Sequence, residues 1–379
     1  MIRVLNIISD SNIGGAGKCV LTFLKYFDRK RFSVKVVVPR GSLLKPQIEQ
    51  LGIKVIEADG IAEKSLSMEG IKNLKYIIKK SNPDIVHTHG TMSGRIAAKL
   101  CGKKTVYTRH SVFEVNPKIS RGLGKIINGN INEFFADRII AVAEAAKENL
   151  IQGGISADKI TVVLNGVEKL EKCSDSERTE AYKRFNVGEN DFVVSIMARL
   201  EGYKGHKYLL EAVKSLKERG ISVKAVIAGT GSIETELKEY AKKLGIENET
   251  IFAGFVDDVR SLLSVTKVQA NASYGTEATS LALLEGMSLG IPAVASDFGG
   301  NPGVIEDGEN GFLFESRNSA QMAEKLEVLY KDSEKYSYMS KRALEIFNEK
   351  FTAEVYAENI EKIYDSVLEG EKTNGKKKA

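Results

Sequence analysis

Short apolar, β-branched runs alternating with stretches of helical spacing predict an α/β protein whose parallel strands are buried on both faces. Two further observations divide it. The alternation restarts midway along the 379 residues, and a single sheet holding all the strands would exceed the usual limit of about ten. The charge also changes sign: residues 1–167 hold 26 Lys and Arg against 14 Asp and Glu, a net +12, whereas the remainder carries −7. The expected fold is two doubly wound, Rossmann-like domains.

In order, strands are read at residues 2–8, 34–38, 53–56, 85–87, 105–107 and 138–142, with helices such as 17–27 and 70–80 between them. Asn165-Gly166 is a turn signal and the next residues, 168–180, are polar, so the domain boundary is expected after Val167. A second set of strands follows at 192–197, 223–228, 250–252, 267–270 and 293–295, with helices at 206–218, 234–244, 279–289 and 320–330. The domains are thus expected at 1–167 and 168–351. A last helix at 352–369 carries an apolar stripe, Val355, Ile360, Ile363, Tyr364 and Val367, that must pack on something, and it is expected to cross back to the first domain. The basic tail, 370–379, reads as disordered.

Composition excludes several classes. Hydrophobic residues make up 42% and charged residues 28%, as in an ordinary globular protein. No apolar run approaches the roughly 18 residues of a membrane span. Three scattered cysteines argue against a disulfide framework and for a reducing, cytoplasmic setting. Four histidines without a CxxC or HExxH pattern leave no evident metal site.

Several short motifs fall at strand ends. Gly14-Gly15-Ala16-Gly17-Lys18 follows the first strand and opens a helix. It fails as a P-loop, with Asn12 and Cys19 in the wrong places, and as a dinucleotide fingerprint, with Val20 where a third glycine belongs. What remains is either a tight turn or a backbone cradle for an anion at a helix N-terminus. His87 and His89 share a strand face, and His110 lies just beyond the next strand, at a carboxyl end. Arg199 and Lys204 bracket a strand-to-helix loop, a fork of donors and a point charge suited to a diphosphate. Gly229-Thr-Gly231 follows another strand and lacks the third glycine of a dinucleotide motif, leaving backbone contact with a nucleotide open. Glu277 and Glu285 stand eight apart. A helical rise of about 12 Å between them exceeds the roughly 5–9.5 Å of paired glycosidase carboxylates.

Glu277-x7-Glu285 followed by Gly286-Met-Ser-Leu-Gly-Ile-Pro-Ala-Val-Ala-Ser296 resembles the motif of family-4 retaining glycosyltransferases, which have the GT-B architecture of two Rossmann-like domains facing a cleft. Gly14-Gly15, Thr108-Arg-His110, Asn165-Gly-Val, Arg199 with Lys204-Gly205, and Phe252-Ala-Gly254 occur in that family's order, so the resemblance spans nearly the whole chain. It implies that Arg199 and Lys204 hold the donor diphosphate, with a backbone N–H of the Gly14-Gly15 turn. Glu285 would bind the nucleotide ribose, and Glu277 the donor sugar. Ser280 and Leu281 would offer backbone N–H groups, His110 would line the sugar site, and Gly229, Gly254 and Phe255 would border the nucleotide. Where the family usually has Gly-Phe-Gly-Leu-Pro after the first glutamate, this chain has Ala278-Thr279-Ser280-Leu281-Ala282, so Thr279 and Ser280 bear on which sugar fits.

The implied reaction moves a sugar from a nucleotide diphosphate, UDP favoured over GDP, with retention of configuration. Arg199, Lys204, Glu277 and His110 would be the catalytic set. Cations would stabilise the leaving diphosphate, so no metal or other cofactor is expected. A sugar-nucleotide 2-epimerase of the same fold is the alternative; a non-catalytic binder and an NAD-dependent dehydrogenase fit less well. The basic first domain points to a glycan or lipid-linked acceptor and to peripheral contact with an anionic membrane at its inner face. No nucleic-acid partner is expected.

Overall fold

The computed structural model describes residues 1–62, 65–112 and 115–375. The chain forms two compact units: residues 1–167 with the helix that begins at Ala353, and Glu168–Thr352.

In the first unit the order is β1 (Ile2–Ile8), α1 (Gly15–Tyr26), β2 (Phe32–Pro39), α2 (Leu44–Gln50), β3 (Lys54–Ala58), α3 (Met68–Ser81) and β4 (Ile85–His89). There follow α4 (Met92–Leu100), β5 (Lys104–Arg109), α5 (Pro117–Ser120), α6 (Gly122–Phe134), β6 (Arg138–Ala141), α7 (Glu144–Gln152) and β7 (Ile160–Val162). The strands pair in parallel in the order β3-β2-β1-β4-β5-β6-β7. Val4 of the central β1 lies opposite Val34 on one side and Ile85 on the other. Leu5, Ile7, Val37, Leu74, Ile78 and Val86 belong to one buried cluster, which explains the mainly apolar runs.

The second unit contains α8 (Asp175–Arg184), β8 (Phe192–Met197), α9 (His206–Glu218), β9 (Val223–Ala228), α10 (Glu234–Leu244), β10 (Thr250–Gly254) and α11 (Val259–Val265). It continues with β11 (Val268–Asn271), α12 (Leu281–Met287), β12 (Ala293–Ser296), β13 (Gly311–Phe314), α13 (Ser319–Lys331) and α14 (Ser333–Lys350). Its sheet is also parallel, in the order β10-β9-β8-β11-β12-β13. Each sheet therefore reverses direction beside its first strand, between β1 and β4 and between β8 and β11. Such reversals leave a crevice at the carboxyl ends of the strands.

The helix after Thr352, α15 (Ala353–Gly375), packs on the first unit. Its buried Tyr356, Ile360, Tyr364 and Val367 form the inward face. The Tyr364 ring meets Phe23 and Phe32 at centroid distances of 5.8 and 5.7 Å. Glu361 accepts from Asp28 N at 2.6 Å and from Arg31 Nη1 at 3.1 Å.

The structure corrects three expectations. Helix α15 runs to Gly375 rather than ending at 369; the rest of the tail, 376–379, lies outside the described residues. The helix expected at 279–289 is only Leu281–Met287, since Ser280 caps it and Gly290 at φ +76° ends the turn that follows. Strands β7 and β13 are additional. They are three and four residues long, too short for a periodicity signal.

Candidate functional site

In the second unit two loops meet at the reversal of the sheet. The loop after β8 carries Arg199 and ends in a turn, Gly202–Lys204, before α9. The loop after β11 carries Glu277. Lys204 Nζ donates to Glu277 Oε2 at 2.8 Å, across 73 positions of sequence, and the two side chains are only 16% and 9% exposed. Ser273 Oγ and Asn271 Nδ2 donate to the same oxygen at 2.9 and 3.3 Å. The backbones interlock as well: Tyr274 N donates to Tyr203 O at 2.9 Å. Gly205, at φ +71°, is pressed so close to Ala272 that a Cβ would fall 2.0 Å from its carbonyl oxygen. Glycine is thus required there by packing of the two loops.

Behind Glu277 lies a second row of hydrogen bonds. Ser296 Oγ donates to Ser273 O at 2.7 Å, and Asn301 Nδ2 donates to Ser296 Oγ at 3.1 Å. Gly300 N donates to the Glu277 carbonyl at 3.0 Å. These bonds tie the loop that carries Glu277 to β12 and to the segment that follows it. Arg199 is exposed, and its Nη2 donates to Tyr203 Oη at 2.7 Å. His206, at the start of α9, is buried; loss of solvation, reinforced by the charge of Lys204, pushes its imidazole down to about 4.

The remaining expected residues of this unit lie at the same end of the sheet. Gly229 has φ +142°, and a Cβ there would sit 2.0 Å from Ala198 O, so its glycine has a packing reason in the neighbouring loop. Gly254 closes β10 at φ +64° with open space around it, and Phe255 beside it is 73% exposed. Thr279 and Ser280 are buried, and the Ser280 hydroxyl accepts from Leu283 N to cap α12, whose first residue is Leu281. Glu285 is half-buried on α12. Since α12 begins at Leu281, residues 277–280 are not helical, and the 12 Å rise argued from sequence does not apply to the two glutamates.

In the first unit, the turn before α1 differs from the other close-packed glycines. A Cβ added at Gly14 or Gly15 meets nothing within 4 Å, and Gly14 is in ordinary extended conformation. Nothing in the chain itself demands glycine at these two positions. Helix α1 also has no capping hydrogen bond from its N-cap residue, Gly14, and no acidic residue in its first turn.

His110, just past β5, closes a row of imidazoles. His87 and His89 have ring centroids 4.3 Å apart, and His89 and His110 stack at 5.1 Å. His87 meets Tyr364 Oη at 2.8 Å and Thr108 Oγ1 at 2.7 Å. His89 Nδ1 lies 2.8 Å from His110 Nε2, and its Nε2 lies 3.1 Å from Asn6 Oδ1. With the Asn6 amide oxygen facing it, His89 donates through Nε2 and accepts at Nδ1 from the Nε2–H of His110. His110 then presents an unprotonated Nδ1, which is buried and has no hydrogen-bond partner among the described residues. Burial keeps all three rings neutral: His87 is pushed down to about 3, His110 to about 4, and His89 well below its ordinary value.

Sequence reading missed Asn271, Ser273, Ser296 and Asn301, which are ordinary polar residues until the fold gathers them around Glu277. It also missed Asn6 and Tyr364, which are joined to the histidines only by sheet register and by α15. Among the described residues no three His, Cys, Asp or Glu side chains cluster so as to hold a metal ion, and no helix is long and apolar enough to cross a membrane.

The fold and the paired loops are those of a two-unit, nucleotide-sugar type of transferase, and comparison with known proteins agrees. The family model "Glycosyltransferase Family 4" matches residues 13–169, and "Glycosyl transferases group 1" matches residues 177–346. EpsD of Bacillus subtilis is 29% identical over 320 residues, 82% of this chain and 83% of that protein. The Escherichia coli UDP-Gal:α-D-GlcNAc-diphosphoundecaprenol α-1,3-galactosyltransferase is 30% identical over 262 residues, covering 65% of this chain and 66% of that one. The crystal structure of Anabaena HepE in complex with UDP is similar at a TM-score of 0.83 and 25% identity, over 96% of this chain and 100% of that chain. The chain belongs to the family-4 glycosyltransferases of GT-B architecture and is a transferase enzyme. The epimerase alternative is not favoured by these likenesses.

Proposed function

We propose that the protein transfers a sugar from a UDP-sugar to a glycan carried on a lipid, with retention of configuration and without a required metal. The observation that carries this reading is the buried Lys204–Glu277 pair joining two loops at the reversal of the second sheet, where ligands of open α/β sheets bind. It is supported by the UDP named in the HepE complex and by the UDP-Gal donor and diphosphoundecaprenol acceptor named for the E. coli relative.

Lys204 has three N–H donors. One is committed to Glu277, leaving two for a diphosphate oxygen. Arg199, exposed and bonded to Tyr203 Oη, adds a fork of donors from the same loop. Negative charge grows on the diphosphate as the glycosidic bond breaks, so these cations stabilise the transition state more than the bound donor. Glu277 receives sugar hydroxyls, Glu285 the ribose, and the α1 turn at Gly14-Gly15 contributes backbone N–H groups. Gly229, Gly254 and Phe255 border the nucleotide, and Thr279, Ser280 and Leu281 line the sugar. His110 accepts a sugar hydroxyl proton at its lone-pair nitrogen and orients the ring. No carboxylate is assigned as nucleophile: the acceptor attacks from the face the diphosphate leaves, and the leaving phosphate takes the acceptor's proton.

The test is a panel of UDP-, GDP- and ADP-sugars scored by thermal stabilisation, since a ligand bound to the native state raises its melting temperature. Selected donors are then turned over in chelator, and the anomeric proton of the product is read by NMR. Stabilisation by UDP-sugars and a retained anomer are expected. Absence of stabilisation by any nucleotide, an inverted product, or activity lost in chelator and restored by a divalent ion would each refute the corresponding part.

A further inference from the structure

Helix α6 is built inside out. Its exposed residues Leu123, Ile126, Ile127, Ile131 and Phe134 are spaced three and four apart and so form one stripe along one face. They are 76%, 58%, 57%, 42% and 60% exposed, on a helix whose other face is the one in contact with the unit. That inner face is small and polar. A Cβ at Gly129 would lie 2.1 Å from Gly154 O, and one at Gly124 would lie 1.9 Å from Lys118 O. Asn132 accepts from Arg95 Nη1 at 2.8 Å, and Asn128 bonds the Gly153 carbonyl. An amphipathic helix of a water-soluble unit normally buries its apolar stripe. Here glycines and asparagines anchor the helix tightly while the stripe is turned outward. Leu100, at the end of α4, is 58% exposed, and Lys99 beside it places Nζ 4.6 Å from the centroid of the Phe134 ring.

The charges around the stripe are positive. Lys118 and Arg121 are exposed just before it, Lys125 stands within the helix, and Lys99 lies over its far end. The acidic Glu133 is engaged by Ser156 through N and Oγ, both at 2.7 Å. Other parts of the basic excess are paired with carboxylates of the same unit: Arg31 with Asp365 and Glu361, Arg40 with Asp59, and Arg3 with Asp84. Lys99, Lys118, Arg121 and Lys125 therefore flank a helix that presents a continuous apolar face.

We infer that α6 is the surface by which this enzyme docks on an anionic lipid bilayer. Its apolar stripe enters the boundary between headgroups and acyl chains, and Lys99, Lys118, Arg121 and Lys125 meet the lipid phosphates. The inference rests on the reading that the acceptor is carried on a lipid, and it names the membrane-facing element. An apolar stripe flanked by Lys and Arg is the composition that lies in a membrane interface. Electrostatic attraction brings the helix to the surface, and apolar insertion makes the contact only partly reversible by salt.

The chain contains no tryptophan, so Ile127→Trp supplies a sole reporter. With vesicles of phosphatidylglycerol and phosphatidylcholine its emission shifts to the blue and is quenched by brominated acyl chains; with pure phosphatidylcholine the change is much smaller. Leu123→Asp/Ile127→Asp, at two exposed positions, lowers vesicle affinity about tenfold or more while calorimetric binding of UDP stays unchanged. An unshifted emission in anionic vesicles overturns the inference. So does vesicle binding that the double substitution leaves intact, which would place the contact on other basic residues. Self-association that the same substitution abolishes, in a protein that ignores vesicles, overturns it in favour of a second copy as the occupant. Loss of UDP binding by the unsubstituted protein would strike the donor reading alone, since the fluorescence result does not depend on it.

Discussion

Lys204→Met keeps most of the aliphatic stem and removes only the ammonium group, which isolates the Lys204–Glu277 pair. Glu277 then remains 9% exposed as a carboxylate, with the Ser273 hydroxyl and the Asn271 amide donating to Oε2. Removing one partner of a buried ion pair costs about 3–5 kcal/mol. Two neutral donors survive, so the lower end applies, about 3 kcal/mol. For a unit of this size each kcal/mol lowers the melting temperature by about 2–4 °C, giving a loss of roughly 6–12 °C. Glu277→Gln in the Lys204→Met background discharges the stranded carboxylate and restores more than half of that loss. Donor turnover is expected not to recover in the double variant, because the cation proposed for the diphosphate is still missing; its loss costs about 10²- to 10³-fold in rate. The assays are differential scanning calorimetry and hydrolysis of the UDP-sugar that stabilises the protein best. A single variant that melts with the unsubstituted protein would show that the pair carries no weight in the fold. A double variant no more stable than the single one would show that the cost lies elsewhere than in the orphaned carboxylate.

Three further outcomes are expected. Glu285→Gln weakens calorimetric binding of UDP, whereas Glu277→Gln leaves UDP affinity within about threefold and lowers turnover; equal weakening by both would undo the division into ribose and sugar contacts. Gly15→Ala meets open space at the start of α1, so it raises stability by about 0.5–1 kcal/mol yet weakens donor binding by crowding the backbone approach, and unchanged affinity would make the turn merely structural. His87 and His110 are held neutral down to about 3 and about 4, against 6.5 for a free imidazole. Below pH 6.5 the unfolded chain therefore binds protons that the folded one does not, and stability falls by about 1.4 kcal/mol per pH unit for each ring until the folded values are reached. Urea midpoints measured from pH 7 to pH 4 should show this slope, reduced in a His87→Gln variant; an identical slope in that variant would mean that the ring titrates normally.

Much of the architecture was legible in the residue order because parallel strands covered on both faces need apolar residues at most positions. Ile2–Ile8, Phe192–Met197 and Val223–Ala228 could be read at their true bounds for that reason. The same holds for the strand-to-helix loops: Arg199, Lys204 and Gly14-Gly15 stand where a chain leaves a strand, and that position is a property of local order. Tertiary structure alone decided what those residues touch. Nothing local to Lys204 indicates Glu277, 73 positions away, because their meeting depends on β11 entering the sheet beside β8. The glycine at 205 looked like part of a phosphate loop, yet its cause is a carbonyl oxygen at Ala272. The unprotonated nitrogen of His110 depends on Asn6 and His89 in two other strands. Periodicity in α6 reveals that an apolar stripe exists but carries no sign for inward or outward. The glycines and asparagines of its opposite face settle that direction, by the closeness with which they let the helix approach the backbone of residues 153 and 154.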